Sequence, residues 1–421
     1  MKNSSFTKTA LFVNEVRGKH MKYESLNKIY YSSPNTYGKE YKIRFSFPYS
    51  IHLGLPIKQY HRNNEYEAFF CYTNELFLLI EQIHDAYTQF LSLLNLVPPV
   101  VLHQFSLLSI LDEVKSTNDI EGVRSTRKEI REIMDGGTAQ PNRLDSIVHK
   151  YSSLLHDTNI NFSSCEDIRA FYDDFTHKEV SEENPNHKLD GKIFRKDPVE
   201  IESPTGKIIH QGLYPESNII SYLSRSLEIL HDKTLPKLVR LCLFHYLFAY
   251  IHPFYDGNGR TDRFITSYFL GKWYHVIPSI RLSVFIKKNR PKYYKLFTIA
   301  DSELNKADLT PFIIGFLEII HGTVLDTISL LHRKKIQLDR YEQQISCLGI
   351  KDETLNNIYF ILLQAALFYG RGIKIADLMK LTGKSRGTIQ KRLDGMPQNH
   401  IIVTKVKKFK YYKLNLQIFR E

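Results

Sequence analysis

Cysteine is scarce in this 421-residue chain: Cys71, Cys165, Cys242 and Cys347 stand at least 77 positions apart. None sits in a CxxC pair, so neither a zinc ribbon nor a disulfide framework is available, and a reducing compartment is expected. Long apolar runs are missing as well. The first, Ala10-Leu11-Phe12-Val13, is far too short for the core of a signal peptide. The most apolar later stretch, Phe90 to Leu102, is broken by Pro98-Pro99 and falls short of the roughly 20 residues a spanning helix needs. The expectation is a cytoplasmic protein without a membrane partner. There is also no internal repeat and no low-complexity tract.

What is present is a globular balance. An apolar fraction of 43% and an aromatic fraction of 13% exclude a mainly disordered chain. At about 100–200 residues per domain, the length predicts two to four domains. The formal charge of +12 comes from 57 Lys+Arg against 45 Asp+Glu, and it is unevenly placed. Lys351 to Glu421 holds 14 Lys+Arg and 5 Asp+Glu, a net +9, which leaves +3 for the 350 residues before it. That asymmetry suggests a basic C-terminal module on a nearly neutral body. Charge alone does not separate a nucleic-acid partner from a solvated basic face.

Along the chain, residues 1–60 show little periodicity and read as an extended N-terminal arm. Residues 61–140 read as a helical region. Glu65 to Leu96 has apolar residues at spacings near three and four, Pro98-Pro99 ends that helix, and Val101 to Val114 forms the stripe of the next. Thr126 to Glu129 matches a capping box. Residues 141–335 read as the main helical core, interrupted by a hairpin. Its runs are Lys192-Ile193-Phe194-Arg195, Val199-Glu200-Ile201 and Lys207-Ile208-Ile209-His210, with the turn at Ser203-Pro204-Thr205-Gly206. Residues 336–353 are charged and poor in apolar side chains, and read as a linker, with a continuous helix as the alternative. Residues 354–421 form the basic module.

The chemistry concentrates in His252-Pro253-Phe254-Tyr255-Asp256-Gly257-Asn258-Gly259-Arg260-Thr261-Asp262-Arg263. Pro253 disfavours a helix running on through His252. Gly257 and Gly259 flank Asn258, so three successive residues can reach positive φ at little cost. Consecutive N–H groups in such a turn bind anions, and a following helix adds the positive end of its dipole. Arg260 and Arg263, three apart, can reach one side of that helix. Asp256 can hold Mg²⁺, which bridges carboxylate and phosphate oxygens. His252 has the ordinary pKa of a proton acceptor at neutral pH. The assembly reads as phosphate-chain transfer. It is not a Walker loop, because Leu378 stands where Gly383-Lys384-Ser385 would require glycine.

The run from His252 to Arg263 resembles the complete signature of Fic-domain proteins, His-x-Phe-x-Asp/Glu-Gly-Asn-Gly-Arg-x-x-Arg. The family moves a nucleoside monophosphate, most often AMP from ATP, onto a hydroxyl side chain of a target protein. The resemblance implies a mainly α fold: a Fic helical bundle with a β-hairpin flap, spanning roughly residues 60–330. It further implies that His252 deprotonates the target Ser, Thr or Tyr, Phe254 anchors the loop, and Asp256 holds Mg²⁺. Gly257, Asn258 and Gly259 would cradle the phosphates, with Arg260 on the phosphate chain and Arg263 on the γ-phosphate of the substrate ATP. The hairpin over 193–210 resembles the flap that docks the target by strand addition. His245 and Ile251 also match the helix leading into the motif. Ala249, where many members have Glu, and Asp262, where Gly is common, depart from the pattern; Asp262 adds a negative charge near the phosphates.

Thr117-Asn118-Asp119-Ile120-Glu121-Gly122 resembles the family's inhibitory motif, Ser/Thr-x-x-x-Glu-Gly/Asn. The resemblance implies autoinhibition, with Glu121 pairing to Arg263 in place of the γ-phosphate, and it leaves a hydrolytic role of Glu121 open. Finally, Ile375–Thr382, Gly383-Lys384 and Ser385–Gly395 read helix–turn–helix, followed by Ile401–Thr404 and Lys410–Leu414. This resembles a winged helix-turn-helix. DNA binding and protein docking or dimerisation are both compatible with it. The expected function is an autoinhibited protein adenylyltransferase. The alternative is a DNA-binding regulator whose Fic core only senses nucleotide. The target protein is not identified, and self-association is left open.

Overall fold

The computed structural model describes residues 22–136, 142–184, 187–202, 206, 208–406 and 409–419. The described chain is mainly helical with three small antiparallel sheets. It divides into two compact units. One takes the residues up to Gln82 together with Lys196–Pro253 and Pro291–Glu318; the other takes Ile83–Arg195, Phe254–Arg290 and Ile319 onward. Each unit draws on sequence from both sides of the expected domain boundaries, so packing cuts across them.

In the first unit, residues 22–60 are not an extended arm; residues 1–21 of that arm lie outside the described residues. Helices Leu26–Ser32 and Pro34–Phe45 precede strand Ser50–Lys58, which pairs antiparallel with Glu65–Cys71. Helix therefore begins only at Asn74, not at Glu65. Leu53, Leu55 and Ile57 alternate inward along the first strand, which is the period of a half-buried strand. Phe69 and Phe70, which fit the helical spacing in sequence, are buried in the second strand, and Phe69 exchanges backbone hydrogen bonds with Ala307 and Leu309. Helix Glu216–His231 packs against helix Lys237–Ile251, which is buried on all sides. A helix apolar all round belongs at the centre of a core. His245, on that helix, stacks on Phe316 at 4.1 Å and meets the Tyr293 hydroxyl at 2.9 Å through Nε2.

The hairpin of this unit is shorter than expected. Glu200–Glu202 pairs with Ile208–Gln211, Glu200 opposite Gln211 and Ile201 opposite His210. Of the expected turn, Ser203, Pro204, Thr205 and the following Lys207 lie outside the described residues. Lys192–Arg195 is not a strand and belongs to the second unit, where Phe194 and Arg195 are buried and Arg169 donates to the Ile193 carbonyl.

The second unit is built around helices Pro99–Ile120 and Asn258–Trp273, with Arg127–Met134, Asp145–Ser153, Cys165–Tyr172, Lys178–Glu183 and Leu282–Lys288. Thr126 and Glu129 form a complete capping box. Helix Thr310–Ser346, which starts in the first unit, runs 37 residues, so the expected linker shrinks to the few residues before helix Glu353–Phe368. Leu331, Leu338 and Ile345 are buried along its second half, one residue in every seven. A spacing that sparse sustains a helix but leaves most of its surface polar. The helix also contains an 18-residue window of mean hydropathy 1.5, long and apolar enough to cross a membrane; its Phe312, Ile313, Phe316, Leu317 and Ile319 are buried within the protein.

Helices Ile375–Thr382 and Arg386–Asp394 follow, the second capped by Ser385. Strand Phe409–Leu414 is the centre of a three-stranded sheet between Ile373–Lys374 and Ile401–Val406. Lys407, Lys408, Arg420 and Glu421, counted in the basic tail, lie outside the described residues. The C-terminal elements rest on the rest of the unit. Phe368 meets Phe105 edge-on at 6.5 Å, Arg131 lies over the Tyr369 ring at 5.3 Å, and Arg371 pairs with Asp135.

Candidate active site

Helix Lys237–Ile251 stops where Pro253 requires. His252 takes a left-handed conformation, φ 51°, and its N–H still reaches the Phe248 carbonyl at 3.0 Å. Nδ1 of its ring lies 3.4 Å from the Ala249 carbonyl oxygen. That contact uses the backbone of Ala249, so it does not depend on the side chain at this position. The hairpin is tied to the same stretch of helix. His210 Nε2 meets the Tyr250 carbonyl at 2.7 Å, and the Leu213 N–H donates to Ile251 at 3.0 Å.

The loop from Phe254 belongs to the second unit. Phe254 is buried with its ring stacked on Tyr172, centroids 3.7 Å apart, and edge-on to Phe194. Asn258 closes the loop rather than lining its mouth. Its Oδ1 accepts from the Phe254 N–H at 2.9 Å and its Nδ2 donates to the Phe254 carbonyl at 2.8 Å. The side chain expected among the phosphate ligands is thus committed to the loop's shape, leaving its backbone for a ligand. Only Gly257 of the three central residues has positive φ, +79°. Asn258 and Gly259 already belong to the helix, so the anion-binding turn is narrower than the sequence suggests.

Gly259 serves a different need. The Glu121 carboxylate lies against it, and a Cβ there would collide with Oε1 and stand 2.9 Å from Arg263 Nη1. Glu121 Oε1 and Arg263 Nη1 are 2.7 Å apart. Thr117 holds the rest of the guanidinium: Nε donates to Oγ1 at 3.0 Å and Nη2 to the carbonyl at 3.1 Å. The structure therefore brings Thr117, Glu121, Gly259 and Arg263 together.

Gly122 ends the preceding helix with φ +75°. The Gly122 N–H donates to Asp119 and the Val123 N–H to Asn118, the two bonds of a Schellman cap. The motif is thus a helix terminus as well as an arginine clamp. The terminus is pinned from outside, by Lys287 on Asp119 at 2.6 Å and Arg290 on the Ile120 carbonyl at 2.8 Å. At Asp119 hydrogen bonds from Lys115 and Lys287 outweigh the burial penalty and hold the carboxyl below its usual range. Two turns back, Glu113 accepts from the Ser283 and Val284 N–H groups at the start of helix Leu282–Lys288. Burial pushes its carboxyl up to about 7, against those hydrogen bonds and the nearby Arg263 charge.

Arg260 is fully buried and donates through Nη1 to Glu179 Oε2 at 2.5 Å; its Nη2 is 3.7 Å from Asp256 Oδ1. Asp256, half-exposed, lines an open cleft of about 460 Å³ with Glu121, Gly122, Val123, Arg124, Arg143 and Glu182. Among the described residues no group of three or more His, Cys, Asp or Glu is arranged to hold a metal. An accessible carboxylate such as Asp256 fits a hard cation that keeps its waters and arrives with phosphate oxygens. Asp262 is buried on the motif helix.

Residues 162–270 match the family model described as Fic/DOC. This segment is similar to Fic domains. A protein adenylyltransferase Fic of Drosophila melanogaster is 30% identical over 125 residues, covering 30% of this chain and 23% of that protein. The protein adenylyltransferase fic-1 of Caenorhabditis elegans is 26% identical over 207 residues, 48% of this chain and 37% of that protein. The chain thus spans well under half the length of these relatives. A solved structure of a Fic family protein from Desulfovibrio desulfuricans shares the fold with a TM-score of 0.50 at 21% identity, over 82% of this chain and 96% of that one.

Residues around the Fic motif that sequence reasoning missed come from Cys165–Tyr172 and the turns after it. Tyr172 stacks on Phe254 and donates to the Asp256 carbonyl at 3.0 Å, and Glu179 holds Arg260. No spacing signal links a single Glu to an Arg 81 positions away.

Proposed function

We propose that the chain is a protein adenylyltransferase, transferring AMP from ATP to a Ser, Thr or Tyr hydroxyl of a target protein and of itself, and restrained by Glu121. The observation that carries this reading is the clamp on Arg263. A carboxylate placed against Gly259 and paired with an otherwise buried arginine occupies the position an anionic phosphate would take. The reading is also supported by the names of the relatives that the Fic segment resembles.

In this reading the phosphates of ATP meet the N–H groups at Gly257–Gly259 at the start of the motif helix, where the dipole favours negative charge. Arg260 and, once released, Arg263 neutralise the chain. Mg²⁺ carried on the phosphates would be held by Asp256 and would supply charge neutralisation there. A proton on His252 Nδ1 shared with the Ala249 carbonyl leaves Nε2 to accept the proton of the target hydroxyl. The hydroxyl oxygen bonds to the α-phosphorus, the α–β bridge breaks, and pyrophosphate leaves. An extended target segment would pair with the short hairpin, whose Ile209 side chain is exposed and whose base is bonded to the helix ending at His252. The test is label transfer: protein should become labelled from α-labelled ATP and not from γ-labelled ATP. Transfer of the γ-label would make the chain a kinase and refute the reading.

A second partner is proposed for the basic tail, read as a winged helix. Helix Arg386–Asp394 leaves Arg386, Gly387 and Lys391 exposed after an exposed Lys384, while Arg392 is taken by Asp352 at 2.8 Å. Duplex DNA suits that face. Affinity for random duplex should fall about 10-fold or more between 50 and 200 mM salt if several phosphates are contacted. Salt-independent binding, or none, favours a protein-docking role.

A further inference from the structure

Glu179 has no part in the chemistry described so far, yet it holds one of the two motif arginines. Its position is set by the helical segment behind the loop. Tyr172 in this segment donates to the Asp256 carbonyl. Thr176 Oγ1 stands 3.0 Å from where a Gly257 Cβ would lie, and Glu179 reaches Arg260. Spaced four and three apart, these residues form one face against the loop.

The Glu179–Arg260 pair is closed to solvent on both sides, with 2% and 0% of the two side chains exposed. Only one edge of the guanidinium is used. Arg260 Nε and Nη2 are buried and have no hydrogen-bond partner among the described residues. Burying donors unsatisfied is unfavourable, and guanidinium is suited to bidentate capture of a phosphate. The unsatisfied Nη2 lies 3.7 Å from Oδ1 of Asp256, the carboxylate that lines the cleft. Glu179 is shared with Arg143, whose Nη1 is 3.4 Å from Oε1 and which lines the same cleft. Two arginines around one carboxylate carry a net +1.

The geometry points to Glu179 as the positioning residue for the phosphate chain, an inference that rests on the adenylyl-transfer reading. Its carboxylate fixes the plane of Arg260, so that the unused edge is presented to a phosphate beside Asp256. Arg143 helps to hold that carboxylate in place. The arrangement separates two effects that usually travel together. Glu179→Gln preserves size and one acceptor while raising the local charge from +1 to +2. Attraction for a polyanion therefore does not fall, but the guanidinium loses its charged anchor.

The test uses the full chain carrying Glu121→Gly. Adding Glu179→Gln should lower kcat at least about 10-fold, the scale of a lost orientation effect, with KM for ATP unchanged or lower. A kcat within twofold of the Glu121→Gly parent, or a rise in KM at unchanged kcat, overturns the proposal. Should Glu179→Gln not fold, Glu179→Asp, which withdraws the charge by one methylene, carries the same expectation. A parent that transfers no AMP counts against adenylyl transfer and not against the positioning role, which has its own readout. In arginine-labelled protein, the Nε–Hε resonance of Arg260, assigned by its loss in Arg260→Lys, should be resolved in the natural sequence and broadened or shifted in Glu179→Gln. An unchanged resonance refutes the fixed guanidinium.

Discussion

Replacing Glu121 by Gly should raise the rate of self-labelling from α-labelled ATP by roughly ten- to a hundredfold. The Glu121 carboxylate is 2.7 Å from Arg263 Nη1 and packed on Gly259. It is attached to a helix that is pinned at its end by Lys287 and Arg290. Hydrogen bonds to charged groups contribute about 1.5–3 kcal/mol, and each 1.4 kcal/mol is about a tenfold change in an equilibrium. If the clamp must open before the γ-phosphate reaches Arg263, the competent fraction is reduced by that factor, and removing the carboxylate restores it. Glu121→Gln, which keeps one acceptor without the charge, should fall between. Equal rates for all three proteins would mean that the pair has no bearing on nucleotide placement.

His252→Ala, introduced beside Glu121→Gly, should lower AMP transfer by about 10²–10⁴-fold, the usual contribution of a positioned base. Binding of ATP should be nearly unaffected, because the phosphate-facing groups lie beyond Phe254. The residue's backbone complicates the substitution. His252 holds φ at 51°, and alanine there is less tolerant of the left-handed region than asparagine. His252→Asn therefore provides the companion variant: it keeps the turn and lacks the base. Loss of transfer in both with retained ATP binding assigns the proton to the ring; transfer surviving in both refutes the assignment.

The motif was legible because its parts are contiguous. Twelve residues supply the helix stop, the glycine turn, the carboxylate and two arginines, and each type has a separate physical reason to be there. The Glu121–Arg263 pair was legible through a short second motif. The site's rear support was not. Tyr172, Thr176 and Glu179 come from a stretch whose contribution depends on how helices pack, which no local spacing encodes. Gly257 and Gly259 read alike in sequence but serve different needs, one a positive φ and the other close approach by a carboxylate. In the fold, Phe69 misled because one aromatic fits a helical stripe and a strand equally well, and partners at Ala307 and Leu309 decided between them. The long helix past Leu331 was hidden because one buried residue in seven leaves a segment that looks solvated.

The C-terminal elements touch both helices that flank the Glu121–Gly122 turn. Phe368 rests on Phe105 in the helix that ends there, while Tyr369 and Arg371 engage Arg131 and Asp135 in the helix that starts after it. A fragment cut after Ser346 to isolate the motif would bare two aromatic and ionic seats at once. Such a fragment is a different molecule rather than a smaller one, and a rate measured on it would not describe the intact chain.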